Sequence, residues 1–263
     1  MIFSTKFKAS LLTAFICTCV QLTFLSGASS YDEVFHNLGS DIKEAGYSKS
    51  LKISQWVGDH QILVESFQHA ISTAPEPRNV KSFLDNIAWD DSYIYSYFGS
   101  NDGDMTMIPA LTLPPGYDPR NRPWYSRTHD AMTTTLSEPY EDAGTKELIL
   151  TLTTPVLNDE KFLGVFGVDI NTRTLINLLT PEATTGINQF FIVTQDGKIL
   201  FHPNKDVSLT FLNDTFQTGH IDIKDNYAVT LENSAGTTLL FYKIMNLPAS
   251  NWYLCAAITN KEE

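Results

Sequence analysis

The sequence predicts an α+β protein in which one long N-terminal helix runs alongside two antiparallel-sheet modules, and three observations carry that prediction. From about Tyr31 to Ser72 apolar residues recur at three- and four-residue steps with no proline among them. Beyond Pro75 the chain turns to aromatic and β-branched runs separated by Gly, Asn and Asp. One pattern then occurs twice, offset by 94 residues: Asp102-Gly103 with Pro109, and Asp196-Gly197 with Pro203, each following an aromatic strand, "YIYSYFGSNDG" and "QFFIVTQDG".

The first segment concerns location rather than fold. After Lys6 and Lys8, the run from Ala9 to Tyr31 has no charge, enough to cross a hydrocarbon core of about 30 Å as a helix. Residues 1–30 are therefore expected to be a membrane anchor with its lysines held inside, or a signal segment cut near "SGASS". The helix over residues 31–73 follows, carried by Phe35, Leu38, Ile42, Ala45, Ile53, Trp56, Leu63, Phe67 and Ala70. Lys49 and His60 interrupt the apolar stripe, and a break into two helices near Gly46 is the alternative. At about 60 Å such a helix is expected to pair with a second copy of itself. Pro75 and Pro77 end it.

Residues 74–182 form the first predicted module. Strands are expected over Tyr93–Phe98, Met105–Leu113, Lys146–Leu157 and Lys161–Ile170, with a short helix over Leu175–Thr180. Residues 183–260 form the second, closing with "NWYLCAAI" where the first closes with "FLGVFGVDI". "SNDGD" reads as a turn and not a calcium loop, since it lacks the twelfth-position acid.

Composition narrows the function. The 263 residues carry a net charge of −12, and such an acidic surface repels nucleic acid. Cys17 and Cys19 lie in the N-terminal apolar run, leaving Cys255 alone in the remainder, so neither an intrachain disulfide nor a zinc cluster is expected there. No nucleophile elbow, HExxH helix or phosphate loop occurs, and the six histidines show no ligand spacing. The reading is a binding protein, neither an enzyme nor the holder of a cofactor or metal.

The chain has five arginines, and three of them, Arg120, Arg122 and Arg127, fall within "YDPRNRPWYSR". Arginine presents a planar fork that matches a carboxylate, and an indole N–H can add a further bond. If the segment is extended, Arg122 and Trp124 point to one side. Arg120, beside Asp118, is expected to be a loop ion pair, and Arg127 a surface charge. Downstream, period-two alternation sets Leu163, Val165, Gly167 and Asp169 on one strand face, with Gly167 leaving room beside the acid. A carboxylate in that wall needs a cation, which a ligand ammonium would supply, or else it serves a helix start before "INTRTLINLL". Tyr93, Tyr95 and Tyr97 read as sheet packing, with Tyr95 a candidate to border a pocket.

"YDPRNRPWY", followed by "SEPYED", "LILTLTTPV" and "LGVFGVDI", resembles the membrane-distal module of a double Cache sensor domain, the amino-acid-binding kind of bacterial chemoreceptors. The resemblance spans residues 31–260 and implies two PAS-like modules, one membrane-distal and one membrane-proximal. It implies that Arg122 and Trp124 grip the α-carboxylate of an amino acid and that Tyr117 and Tyr125 line the site. Tyr140 and Asp142 match the family's "PYxD" tyrosine and acid, and Asp169 the acid that receives the α-ammonium. Met105 and Met107 stand near the family's selective positions. The second module lacks any "RPW" and places Ala257 where Asp169 stands, so it is expected to be empty or to hold something else. The resemblance further implies a periplasmic sensor at the bacterial inner membrane, homodimeric through the long helix, signalling in chemotaxis. The sensor region of a histidine kinase or nucleotide cyclase, or a free periplasmic amino-acid-binding protein, are the alternatives.

Overall fold

A computed structural model describes residues 35–87, 92–142, 146–183, 185–219, 221–231 and 236–259. The apolar segment of residues 1–30 lies outside them, and among the described residues no helix is long and apolar enough to cross a membrane.

The long helix, α1, spans Ser40–Thr73 without a break. At 34 residues it is about 50 Å long, shorter than expected, and Phe35 stands in a separate turn before Gly39. Gly46 does not divide it. A Cβ there would lie 2.1 Å from the Tyr242 ring, so the glycine is a slot through which that ring packs against the helix. Lys49 and His60 belong to the inner face and are satisfied there. Lys49 Nζ donates to the Thr180 carbonyl at 2.9 Å and lies 5.5 Å from the Phe190 ring centroid, while His60 Nδ1 meets Tyr93 Oη at 2.6 Å. Burial pushes the Lys49 amine down from its ordinary value.

Beyond Pro75 the expected strand-like chain first makes a second helix, α2, over Pro77–Ile87. Its signal was the spacing of Val80, Phe83 and Leu84, of which the first and last are fully buried, with Pro77 tolerated in the first turn. The first sheet then comprises β1 (Tyr93–Ser100), β2 (Met105–Ile108), β3 (Thr135–Leu136), β4 (Tyr140–Glu141), β5 (Leu148–Asn158) and β6 (Lys161–Asn171). It is antiparallel in the order β2-β1-β6-β5-β3, with β4 also on β5. The expected second strand thus stops at Ile108, before Pro109. "SNDGD" makes the β1–β2 turn, with Gly103 at φ +97 where a side chain would be strained.

The second sheet comprises β7 (Gln189–Thr194), β8 (Ile199–Phe201), β9 (Tyr227–Thr230), β10 (Thr237–Lys243) and β11 (Trp252–Thr259), in the order β8-β7-β11-β10-β9. That is the first sheet's order again, strand for strand, and Gly197 repeats the left-handed turn at φ +86. One apolar cluster joins the inner face of α1, through Ile53, Val57, Val64 and Ile71, to one face of each sheet. A second cluster fills the opposite face of the second sheet. The opposite face of the first sheet carries a polar group of side chains instead. The two sheets are tied where Leu136 N–H donates to the Pro248 carbonyl at 3.1 Å, Ser250 Oγ donates to the Leu136 carbonyl at 3.2 Å, and Lys198 Nζ donates to Glu138 Oε2 at 2.7 Å.

Candidate functional site

Alternation along β6 buries Phe166, Val168 and Ile170 against the helix side and turns Gly167 and Asp169 the other way. Asp169 sits in register between Tyr95 on β1 and Thr151 on β5, and Gly167 between Tyr97 and Thr153. The room beside Gly167 is taken by the protein itself: a Cβ there would meet Tyr97 Cε2 at 2.6 Å and Thr153 Cγ2 at 2.7 Å. The glycine lets the Tyr97 ring lie across the strand and deliver its hydroxyl to Asp169 Oδ1 at 2.8 Å. Thr151 Oγ1 donates to the same oxygen at 2.7 Å. Since that uses the only proton of Thr151, its 2.8 Å contact with Tyr140 is one in which Tyr140 Oη donates.

Asp169 is only 7% exposed, and no lysine, arginine or histidine pairs with it among the described residues. Burial pushes its carboxyl up to about 6, against the opposing pull of the Thr151 and Tyr97 hydroxyls, and the negative charge of Asp142 raises it further. The neighbouring phenols respond in kind. Burial, with the charge of Asp169, raises Tyr97 and Tyr140 well above the ordinary tyrosine range.

The opposing wall is built by a helix entry, not by an extended segment. Asp118 caps a single 3-10 turn, Pro119–Asn121, by accepting from the Arg120 backbone N–H at 2.9 Å. Arg122 is the extended residue before α3 (Pro123–Ala131), whose first position Pro123 suits with its fixed φ. Arg122 and Trp124 are therefore gathered by a turn rather than by strand alternation, which their spacing alone could not distinguish. Thr128 anchors α3 to the sheet through 2.6 Å contacts with the hydroxyls of Thr135 and Thr153. The Trp124 ring lies 4.9 Å, centroid to centroid, from Tyr97, over Gly99, where a Cβ would come within 2.9 Å of Trp124 Cη2. The Arg122 guanidinium carbon stands 5.8 Å from the Tyr117 ring centroid. Burial raises the Tyr117 phenol; Arg122 and the Trp124 indole pull it down, and the charge of Asp169 reaches it as well. Tyr117 thus feels the arginine and the buried acid together.

Between these walls is a cavity of about 980 Å³ whose lining includes Arg122, Trp124, Arg127, Tyr140, Thr151 and Thr153. Asp169 lies directly behind Thr151 and Tyr117 beside Arg122. Asp142 is buried in the β4–β5 turn, its N–H donating to the Glu147 carbonyl at 2.9 Å and its carbonyl accepting from Lys146 N–H at 3.0 Å. Tyr125 is not part of the lining. It is 4% exposed, packs on Phe162 and His129, and its hydroxyl meets the Ser100 carbonyl at 3.4 Å. Arg120 makes the expected loop ion pair, Nη2 to Asp118 Oδ2 at 2.7 Å. Arg127 is exposed but lines the cavity. Met105 and Met107 lie on the edge strand opposite Gly99 and Tyr97, outside the lining.

Sequence reasoning read Tyr97 as sheet packing and passed over Thr151 and Thr153. Their signal was register: each lies opposite Gly167 or Asp169, or is diagonal to it, once β1, β5 and β6 are paired. The same register explains the second module. Opposite Cys255 and Ala257 of β11 stand Phe191 and Gln189 on β7, and Phe241 and Leu239 on β10. Phe191, Leu239, Phe241, Cys255 and Ala257 therefore take the places of Tyr97, Thr151, Thr153, Gly167 and Asp169, and all are buried in an apolar cluster. The second sheet fills with side chains the volume that the first leaves open.

A family model described as "Cache domain" matches residues 26–262. The methyl-accepting chemotaxis protein PctB of Pseudomonas aeruginosa is 28% identical over 258 residues, 97% of this chain and 41% of PctB. The chain thus spans about two fifths of the length of that relative. The ligand-binding domain of the P. aeruginosa amino acid chemoreceptor PctC, solved with GABA, superposes with a TM-score of 0.76 at 29% identity, covering 82% of this chain and 97% of that one. That of the Pseudomonas fluorescens chemoreceptor CtaA, solved with L-serine, gives 0.74 at 32% identity, covering 84% and 96%.

Proposed function

The chain belongs to the Cache-domain family, and from that membership and the geometry above we propose that it is the ligand-binding sensor region of a transmembrane chemoreceptor and recognises the two charged ends of an amino acid. The observation that carries the reading is Asp169: an acid buried among hydroxyls with no cation paired to it among the described residues, beside a cavity whose far wall is an arginine and an indole. An ionised carboxylate there is costly until a cation joins it. In this reading Arg122 and Trp124 hold the α-carboxylate and Asp169 receives the α-ammonium. Tyr140 lines the site and Tyr117 flanks it beside Arg122, with Asp142 adding negative potential and Tyr125 packing α3 against Phe162.

Residues 74–182 are the membrane-distal, ligand-binding module and residues 183–260 the membrane-proximal one. Residues 1–30 hold the protein at the bacterial inner membrane with the sensor in the periplasm, and the long helix pairs two copies. β3 lines the cavity and is hydrogen-bonded to the 248–250 loop of the second sheet. Closure of the cavity on a ligand thereby displaces the second module towards a cytoplasmic chemotaxis output. The test is thermal melting of residues 31–263 against the twenty common amino acids, with sugars and dicarboxylates as controls. A saturable rise with at least one amino acid is expected, since a ligand of the folded state stabilises by RT ln(1 + [L]/Kd). Stabilisation by the controls alone would overturn the reading.

A pH dependence follows from Asp169. Its carboxyl is raised from 3.8 to about 6 in the fold, so its stabilising contribution is complete below the unfolded value and is lost as pH rises through about 6. A ligand ammonium favours the ionised form, so affinity rises with pH over the same interval. Calorimetric titration of the amino acid that stabilises most should show binding at least about tenfold weaker at pH 5 than at pH 7.5. Proton release near pH 6 should appear as a dependence of the measured enthalpy on the buffer. Equal affinities at pH 5 and 7.5 would mean that the ammonium is held elsewhere.

A further inference from the structure

The inference rests on the amino-acid reading and concerns the part of the ligand that reading leaves open, its side chain. Four charged side chains rim the cavity: Arg122, Arg127, Asp130 and Glu138. Three are engaged. Arg122 lies on the Tyr117 ring, Glu138 accepts from Lys198 at 2.7 Å, and Asp130 Oδ1 meets His129 Nδ1 at 3.0 Å. The Asp130 side chain is also 78% exposed, so water screens what it offers a ligand. Arg127 has neither an ion pair nor a side-chain hydrogen bond among the described residues.

Its position is as telling as its freedom. Arg127 lines the main cavity and also a second one of about 540 Å³ that opens between β3 and the second sheet; Leu136, Glu138 and Ala249 are shared in the same way. Arg127 therefore belongs to the wall between the ligand cavity and the junction of the two sheets. It lies five residues after Arg122, inside α3, whereas Arg122 is the extended residue before the helix, so the two arginines stand at different depths along the wall. An anion on Arg127 is thus distinct from one on Arg122. The cavity, at about 980 Å³, is far larger than a ligand of alanine size fills, so a side chain has room to extend.

We propose that Arg127 is a specificity-determining residue that favours amino acids with a second anionic group, glutamate and aspartate over their amides. The planar guanidinium matches a side-chain carboxylate two-toothed, and a neutral amide forfeits the charge in that contact. The experiment is calorimetric titration of residues 31–263 and of the Arg127→Gln variant at pH 7.5 with L-glutamate, L-glutamine and L-lysine. The parent protein is expected to bind L-glutamate about 10- to 100-fold more tightly than L-glutamine. In Arg127→Gln that ratio should fall to near unity. Thermal melting of the unliganded variant verifies that it folds, as an exposed substitution should.

Failure here is distinguishable from failure of the reading beneath it. If no amino acid binds the parent, the amino-acid reading itself falls. If amino acids bind but L-glutamine equals or exceeds L-glutamate, or if Arg127→Gln weakens both alike, only the role of Arg127 is overturned. A preference for L-lysine that disappears in Asp130→Asn would likewise overturn it and transfer the rim's selectivity to Asp130.

Discussion

Asp169→Asn abolishes amino-acid binding and, at pH 7.5, leaves the unliganded protein at least as stable as the parent. The two halves of this expectation have one cause. Asparagine keeps an acceptor oxygen for the Tyr97 and Thr151 hydroxyls, which now bond Asp169 Oδ1 at 2.8 and 2.7 Å, so the sheet face stays satisfied. It removes the charge whose burial raises the carboxyl from 3.8 to about 6, a displacement that corresponds to about 3 kcal/mol against the folded state at neutral pH. For a chain of this size that is several degrees of melting temperature, at roughly 2–4 °C per kcal/mol. The gain should vanish near pH 4, where the parent carboxyl is protonated as well. Binding moves the other way: a buried charged partner is worth about 3–5 kcal/mol to the group it pairs with, or roughly 10² to 10⁴ in affinity. Melting curves at pH 4 and 7.5, each with and without ligand, measure all of this. A variant that still shows the parent's ligand-induced shift would remove Asp169 from the site.

Arg122→Ala has the second largest expected effect, and its signature differs. Arg122 is exposed and, among the described residues, its side chain rests on the Tyr117 ring, so unliganded stability should change by less than about 0.5 kcal/mol. Ligand affinity should fall by about 1.5–3 kcal/mol, roughly 10- to 150-fold, with the loss of a charge-assisted two-toothed contact. Arg122→Lys keeps the charge without the fork and should recover only part of that loss. Titration of the three proteins with one amino acid is sufficient. Equal affinity in parent and alanine variant would show that the carboxylate is gripped elsewhere on the wall.

The two variants probe parts of the site that were not equally readable in the chain. Asp169 was visible as a lone acid in an apolar strand, but its hydroxyl partners were not. Tyr97 and Thr151 lie 72 and 18 residues away from it, and only the pairing of β1 and β5 with β6 makes them neighbours. Arg122 and Trp124 stood out by composition, yet their supposed strand geometry was a helix entry, because Pro123 serves a first helical turn as readily as an extended segment. The helix α2 went unseen because Pro75 precedes it and Pro77 opens it, and proline marks both the end of one helix and the start of another. Lys49, His60 and Gly46 looked like flaws in the long helix. Each instead has its partner on a distant element: the Thr180 carbonyl, the Tyr93 hydroxyl and the Tyr242 ring.

What the linear chain determined was everything set by local periodicity and by residue chemistry: the long helix, the strands, the duplicated module, the clustered arginines, and the absence of Asp169's equivalent at Ala257. What the tertiary structure alone decided was which side chains share a volume. Strand pairing sets Tyr97, Thr151, Thr153 and Gly167 around Asp169 in one sheet and Phe191, Leu239, Phe241 and Cys255 around Ala257 in the other. Register is a relation between residues far apart in sequence, fixed by burying one face of each sheet against the helix. The opposite face is then left polar and open in one module, apolar and filled in the other.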